Sequence, residues 1–246
     1  MTTNIIAHRG ASRLAPENTM PAFKLAYKLG ADGIETDVQL TKDNIPVLIH
    51  DEHVKRTANG RGFVKDFTFA ELRKLDAGSW FSKKYTGTKI VSLDEFLQWI
   101  KPRPLYLNIE LKNTKIDYKN LETIVYDMLK SYQLLDRTTL STFNPVSVQR
   151  MQDLFSDVEI ALLTSRRNRN LVHDAKRIGA NALHIKYRLL TPSLVDACRR
   201  KKIKVRVYTV NRPIKMAKCF ALKTDGIFTD VPDLGLEQRK QFHQTN

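Results

Sequence analysis

The feature that most constrains the fold is a repeated alternation of short apolar runs with amphipathic segments. Helical periodicity fills most of the intervals between the runs. Strands that alternate with helices pair in parallel and are joined by right-handed crossovers. Eight such units in 246 residues predict an α/β fold, a TIM (β/α)8 barrel forming a single domain, 1–246. The eight runs lie at 4–8, 33–38, 104–111, 138–143, 158–163, 182–186, 204–210 and 226–230.

A doubly wound open sheet is the alternative architecture for this pattern. When such a sheet binds nucleotide, it carries a glycine-rich turn after a strand, and neither G-x-G-x-x-G nor a Walker-type loop occurs here. Local signals also mark several helix ends. Thr191 and Asn211 are predicted N-caps, and Gly30 and Gly179 are predicted C-caps.

The spacing between the second and third predicted barrel strands departs from a plain barrel. About 65 residues lie there, which is more than one crossover needs. We predict an insertion at approximately residues 44–90, on the catalytic side, because the loops after barrel strands build such sites. The apolar run 45–51, IPVLIHD, is predicted to be the returning half of a hairpin extension.

The charge balance restricts the kinds of partner. Lys plus Arg is 41 against 26 Asp plus Glu, a net charge of +15, which attracts nucleic acid, anionic lipid or phosphorylated substrates. The basic clusters TSRRNRN (164–170) and ACRRKKIKVR (197–206) lack the interleaved aromatics of a single-strand binding groove. We interpret them mainly as solvated helix faces and loop residues and expect no nucleic-acid partner. Weak contact with a membrane surface stays open.

The sequence shows no targeting or membrane-spanning pattern. No apolar run approaches the roughly 18 residues of a membrane helix, and the first residues lack the features of a signal peptide. Cys198 and Cys219 lie in predicted helices without metal-ligating neighbours, so we expect two reduced thiols. These observations predict a cytoplasmic location, and no feature assigns an oligomeric state.

Three carboxylates are predicted to converge at the strand ends. Side chains alternate along a strand, so Glu35 and Asp37 share one face, and Glu110 shares a face with Asn108 and Lys112. Such carboxylates cannot all stay ionised without a cation, and oxygen ligands favour Mg²⁺ or Ca²⁺ over zinc. Surface carboxylates, or an internal ion pair with Lys112, are the alternatives.

Two histidines and two cations accompany these carboxylates. His8 and His50 each end an apolar run, and one imidazole can take a proton while the other gives one. Arg9 and Lys112 suit phosphate oxygens. With a divalent metal, this set points to phosphoester hydrolysis. Phe143 also ends a strand, as does Tyr208; the two either wall the substrate pocket or belong to the barrel rim.

The motifs that carry these residues resemble those of the glycerophosphodiester phosphodiesterase family. The segments AHRGASRLAPENT, GIETDVQLTKDNIPVLIHDEHVKRTANGRG, NIELK, STFNP, VYTVN and DGIFTDVPD cover about residues 6–233. The resemblance implies a TIM barrel with an insertion after the second strand. It implies that the metal ligands are Glu35, Asp37 and Glu110. The implied acid–base pair is His8 and His50, and the implied phosphate-binding cations are Arg9 and Lys112. Many relatives carry Trp where this chain has Tyr208.

The resemblance further implies a reaction of lipid and glycerol metabolism. A small glycerophosphodiester would be hydrolysed to sn-glycerol 3-phosphate and an alcohol, with His8 as proton acceptor and His50 as donor. The nucleophile is either water or the glycerol 2-hydroxyl. A lysophospholipase-D-type hydrolase is the second enzyme interpretation, and a non-catalytic phosphate- or polyanion-binding barrel is the third.

Some neighbouring residues have predicted supporting roles. Glu17 and Asn18 are expected to cap the first helix and fix its loop, and Asp51 to orient an imidazole or support the metal. His184 is expected to be packed in the barrel, with a place at the barrel mouth as the alternative.

Overall fold

A computed structural model describes residues 2–245. Its strands are Asn4–His8 (β1), Gly33–Leu40 (β2), Pro46–Leu48 (β3), Tyr106–Leu111 (β4), Thr138–Thr142 (β5), Glu159–Thr164 (β6), Ala182–Lys186 (β7), Lys204–Tyr208 (β8) and Gly226–Thr229 (β9). Its α-helices are Met20–Leu29 (α1), Phe69–Leu72 (α2), Leu93–Ile100 (α3), Leu121–Ser131 (α4), Pro145–Leu154 (α5), Leu171–Arg177 (α6), Pro192–Arg200 (α7), Pro213–Ala221 (α8) and Pro232–Thr245 (α9).

The sheet closes into a barrel. All strands except β3 pair in parallel in the order β1-β9-β8-β7-β6-β5-β4-β2, and β1 pairs with β2 to complete the circle. The predicted TIM (β/α)8 barrel is therefore confirmed. The carboxyl ends of its eight parallel strands meet at one mouth, where the predicted site residues were expected.

The main hydrophobic core lies between the barrel and its surrounding helices. Apolar strand residues such as Ile34 and Leu107 pack with helix residues such as Phe23 and Phe96, all fully buried. Because strand side chains alternate, the other face of each strand is left for the barrel interior. None of the helices within residues 2–245 is both long and apolar enough to cross a bilayer.

Of the four predicted helix ends, those at Thr191 and Gly30 are confirmed, whereas the C-cap of α6 is Ile178, one residue before the predicted Gly179, which follows with a φ of 87°. The Thr191 hydroxyl accepts a hydrogen bond from the Leu194 amide, and Gly30 ends α1 with a left-handed φ of 87°. The predicted N-cap at Asn211 is wrong. The residue before α8 is Arg212, and the Asn211 amide instead contacts Asp230, so its capping group is already occupied.

The segment after β2 forms a hairpin and a small core of its own. β3 runs antiparallel to β2, with Val38 opposite Leu48, and returns the chain toward the barrel mouth. Short 3₁₀ turns and α2 follow before α3 completes the crossover. Eight buried residues form a second hydrophobic cluster, separate from the main core: Val47, Ile49, Val54, Ala58, Val64, Leu72, Ala77 and Ile90.

The opposite end of the barrel contains a buried ion pair. Arg206 is 4% exposed, and its Nη1 lies 2.6 Å from Glu159 Oε1 and 3.2 Å from His184 Nε2. The expectation that His184 is packed is confirmed, and its alternative place at the mouth is wrong. Burial of the Glu159 carboxyl opposes ionisation, but Arg206 and hydrogen bonds from Lys204 and other partners lower its pKa to about 2.

This ion pair predicts an acid-sensitive fold. A carboxyl whose folded pKa lies below its unfolded value of 4.5 contributes stability above that value, and the contribution is lost as the pH falls toward about 2. Glu159→Gln should cost on the order of 3–5 kcal/mol at pH 7, because Arg206 keeps a buried charge without a partner. Urea unfolding at pH 7, 5 and 3 measures both effects. Lys204→Ala, which removes a half-exposed partner, is the control and should cost far less. An unchanged pH dependence in Glu159→Gln would contradict this account.

Candidate active site

The three predicted carboxylates meet at the mouth of the barrel. β2 supplies Glu35 and Asp37, and β4 supplies Glu110, which lies opposite Asp37 in the parallel register. One carboxylate oxygen from each residue lies within 4.8 Å of the others. Glu35 is 3% exposed and Asp37 is fully buried, so water does not separate these charges. Such a cluster is stable only with nearby positive charge.

The electrostatics of the cluster favour a bound cation. Burial and the Asp37 charge raise the pKa of Glu35 to about 8. Burial also opposes ionisation of Asp37, but Arg9 and Lys112 lower its pKa below the usual range. The buried Asp37 Oδ1 accepts no hydrogen bond within the described part of the chain. An orphaned oxygen beside two further carboxylates fits a hard divalent ion, so the triad is a candidate divalent-cation site.

Arg9 and Lys112 border the carboxylates from opposite sides. Arg9 donates its backbone N–H to Glu35 Oε2 at 2.9 Å, and its Nε lies 3.1 Å from Asp37 Oδ2. Lys112 Nζ lies 2.8 Å from Glu110 Oε1 and 3.6 Å from Asp37 Oδ1. Both cations therefore lie where they can contact an anion bound over the triad.

The turn after β1 positions Arg9. Arg9 itself has a φ of 57°, and Gly10 follows with a φ of 80°. A Cβ at Gly10 would lie 2.7 Å from the backbone carbon of Ala22, so a larger residue would displace α1. Glycine after Arg9 thus allows the tight turn that brings both the side chain and the backbone amide of Arg9 to the carboxylates.

The two histidines are held in the same way. His8 Nδ1 lies 2.7 Å from Asp230 Oδ1, and His50 Nδ1 lies 2.5 Å from Asp51 Oδ1. A carboxylate at Nδ1 favours a proton on that nitrogen, so Nε2 is the nitrogen left to exchange a proton with a ligand, and both histidines line the same cavity. Burial would lower the pKa of His8, but the Glu35 charge and the hydrogen bond to Asp230 raise it overall.

A chain of ion pairs links the insertion to the barrel. Arg56 Nε lies 2.6 Å from Asp51 Oδ2, and its two terminal nitrogens each lie 2.7 Å from a Glu17 oxygen. Glu17 in turn accepts from Arg9 Nη1 at 2.9 Å. The carboxylate that holds His50 is therefore connected to the arginine beside the triad.

The predicted capping role of the PENT residues is replaced by this network. Thr19, not Asn18, is the N-cap of α1, and it makes no side-chain capping bond. Asn18 Nδ2 instead donates to Asp37 Oδ2 at 2.9 Å, and its Oδ1 accepts from the Thr36 hydroxyl. The loop is fixed, as expected, but through hydrogen bonds of Asn18 to residues of β2.

A cavity of about 340 Å³ collects most of the predicted residues. Phe143 and Tyr208 form one wall, with their ring centroids 6.0 Å apart in an edge-to-face arrangement. The predicted residues that line the cavity are His8, Arg9, Glu35, His50, Glu110, Phe143 and Tyr208. Asp37 is fully buried beside it, and Lys112 lines a second groove that also includes His50.

Three contributors were not predicted from the sequence. Asp230 holds His8, Arg56 holds Asp51, and Lys186 lines the cavity from the end of β7. Asp230 had a usable signal, since it follows β9, the neighbour of β1 in a closed barrel. Lys186 also ends a strand, whereas Arg56 follows from no strand periodicity.

The comparison with known proteins agrees with this geometry. A family model of the glycerophosphoryl diester phosphodiesterase family matches residues 8–234. The chain belongs to this family. It is 42% identical to a glycerophosphodiester phosphodiesterase of Caldanaerobacter subterraneus, over 95% of this chain and 96% of that protein. A glycerophosphodiester phosphodiesterase of Bacillus altitudinis is 38% identical, over 97% and 99%.

Solved structures of relatives have the same barrel. A phosphodiesterase of Oleispira antarctica, in complex with the product sn-glycerol-3-phosphate, superposes with a TM-score of 0.89 at 29% identity, covering 97% of both chains. A glycerophosphodiester phosphodiesterase of Agrobacterium tumefaciens gives 0.84 at 28%, over 96% of this chain and all of that one. The chain is therefore a phosphodiester hydrolase of this family, and the cavity is its candidate active site.

Proposed function

We propose that this chain hydrolyses glycerophosphodiesters to sn-glycerol 3-phosphate and an alcohol, in a reaction that depends on a divalent metal. One observation carries the proposal: two histidines, each with Nδ1 on a carboxylate, face one cavity beside the acidic triad. General acid–base chemistry needs two such groups on one reacting centre. The product bound to the Oleispira antarctica relative supports the choice of substrate.

The metal would be Mg²⁺ or Ca²⁺, held by Glu35, Asp37 and Glu110. The ligand set is all oxygen, and the raised pKa of Glu35 reflects negative charge that a divalent ion would offset. When bound, the ion supplies charge neutralisation for the phosphodiester and for the extra negative charge that develops at phosphorus.

The protein side chains perform the remaining work. Arg9 and Lys112 orient the phosphate oxygens through charge-assisted hydrogen bonds. His8 Nε2 accepts the proton of the attacking hydroxyl, and His50 Nε2 donates a proton to the leaving alkoxide. Asp230 and Asp51 stabilise the imidazolium form that each histidine carries during the cycle.

The cavity walls suit a small polyol. Phe143 and Tyr208 offer apolar ring surface for the carbon chain of glycerol, while Asn108 and Lys186 supply polar contacts to its oxygens. A volume of about 340 Å³ is at the small end of ligand cavities, which favours a deacylated substrate over one that keeps an acyl chain.

The direct test is hydrolysis by the purified protein. We expect glycerol 3-phosphate and choline from glycerophosphocholine with Mg²⁺ or Ca²⁺, and no release with EDTA, because the triad cannot assist without its ion. Lysophosphatidylcholine is assayed in parallel. Release from the lysolipid alone would favour a lysophospholipase-D-type enzyme. Absence of metal-dependent release from both would favour a polyanion-binding barrel and contradict the proposal.

A further inference from the structure

A second, larger groove leads away from the active cavity. Its volume is about 1510 Å³, and it shares His50, Phe143 and Leu163 with the smaller cavity. It does not include His8 or Glu35. The two spaces therefore meet on the His50 side of the site, and any group that departs past His50 enters the larger groove.

The walls of this groove carry an excess of positive charge. Six Lys and Arg residues line it against three carboxylates. Each carboxylate already has a cation: Asp51 pairs with Arg56, Glu52 with Lys115, and Asp174 with Arg177. Lys112 is held by the acidic triad. The remaining cations are three arginines of one loop.

Arg166, Arg167 and Arg169 lie in the loop between β6 and α6. All three are exposed, and within residues 2–245 none of them has a carboxylate within ion-pair distance. Unpaired arginines on a groove wall present guanidinium donors to any anion that enters, which paired surface arginines do not.

The loop is held in place by its own contacts. Arg188 Nη2 donates to the Ser165 carbonyl at 2.5 Å. Asn168 donates to Asp174 at 2.7 Å and accepts the Asn170 amide at 2.8 Å. The arginines are therefore carried on a backbone that is ordered before any ligand binds, which lowers the entropy cost of binding.

From this placement we propose that the groove binds an anionic group, such as a phosphate monoester, carried by the leaving alcohol. The inference rests on the proposed function and adds a substrate class to it: glycerophosphodiesters whose leaving alcohol bears further negative charge. The attacking hydroxyl gives its proton to His8 as its oxygen bonds to phosphorus, the bond from phosphorus to the alcohol oxygen breaks, and that oxygen takes a proton from His50. The charged alcohol departs along the arginine-lined wall.

The test compares two substrates that differ only in this charge. Glycerophosphoinositol 4-phosphate and glycerophosphoinositol are hydrolysed by the same protein, with glycerophosphocholine as a third substrate that reports on the proposed function alone. We expect kcat/KM to be about tenfold higher for the 4-phosphate, since three exposed charge contacts each add a modest gain. The preference should shrink at roughly 1 M salt, where the Debye length falls to about 3 Å.

Two charge-matched variants separate the groove from the overall charge. The triple variant Arg166→Gln, Arg167→Gln, Arg169→Gln should bring the ratio of the two kcat/KM values to about one. The triple variant Lys24→Gln, Lys28→Gln, Lys240→Gln removes the same charge from exposed sites outside the groove and should keep the ratio.

The outcomes remain distinct from those of the proposed function. Hydrolysis of glycerophosphocholine without any preference for the 4-phosphate would overturn this inference and leave the proposed function standing. The inference would also be overturned, and the proposed function left standing, if the arginine variant kept the substrate preference and lost only its binding to phosphatidylglycerol vesicles. The loop would then bind a membrane surface. No hydrolysis of any of the three substrates would overturn both.

Discussion

Replacing His50 by Ala should lower kcat for glycerophosphocholine by about 10²–10⁴-fold, the usual contribution of one acid–base group. The choline alkoxide is a poor leaving group and needs the proton that His50 Nε2 supplies. A substrate with p-nitrophenol as leaving alcohol does not need this proton. His50→Ala should therefore hydrolyse the p-nitrophenyl ester with a much smaller loss.

His8→Ala should behave differently with the same two substrates. Its imidazole acts on the nucleophile, so both esters should lose about 10²–10⁴-fold in kcat. His173→Ala removes an exposed histidine of α6 and serves as the control. Near-normal turnover by both variants would refute the acid–base assignment. Exchange of the two patterns would mean that His50 is the base and His8 the acid.

Replacing Glu35 by Gln should abolish the metal response of the protein. Loss of a metal ligand should weaken metal affinity by more than the roughly 10–100-fold that follows from loss of a residue supporting a ligand. Because an ion that binds only the folded state raises its stability, parent protein should show a higher Tm with Mg²⁺ or Ca²⁺. The Glu35→Gln variant should show little or no such rise. Glu237→Gln, an exposed acid on α9, is the charge-matched control.

The same variant should also differ from the parent protein in stability when EDTA removes the metal. The folded pKa of Glu35, about 8, lies above its unfolded value of 4.5, so its contribution to stability is present below pH 4.5 and lost as the pH rises through 8. A neutral glutamine avoids this loss, so Glu35→Gln should be more stable than the parent at pH 9 without metal. Urea unfolding at pH 6 and pH 9 measures it. Lower stability of the variant than of the parent protein at pH 9 would contradict the claim that ionised Glu35 destabilises the metal-free site.

Much of the site could be predicted because strand periodicity is local. The two-residue repeat was enough to place Glu35 and Asp37 on one face, and the same repeat placed Glu110 with Lys112. What the repeat cannot give is which residues of distant strands meet. Asp230 lies 222 residues from His8 along the chain, and the two touch only because β9 and β1 are neighbours in the closed barrel.

The wrong or incomplete predictions share a physical cause. Asn211 has the side chain of an N-cap, but the half-buried carboxylate of Asp230 offers it a stronger, charge-assisted hydrogen bond. Glu17 and Asn18 likewise contact Arg9 and Asp37 of the site instead of capping α1. The basic run 164–170 has the composition of a solvated loop, and only the barrel topology brings it beside His50.

The second hydrophobic cluster divides the enzyme into two packing units. The barrel core positions the acidic triad and His8, whereas His50 and Asp51 follow a strand whose Leu48 packs in the main core and whose Val47 packs in the second cluster. The pairing of β3 with β2 and the ion pairs of Arg56 with Glu17 join the two units, so a change in one unit is coupled to the other at the site. We therefore expect substitutions within the second cluster to shift the position of His50 more than that of His8.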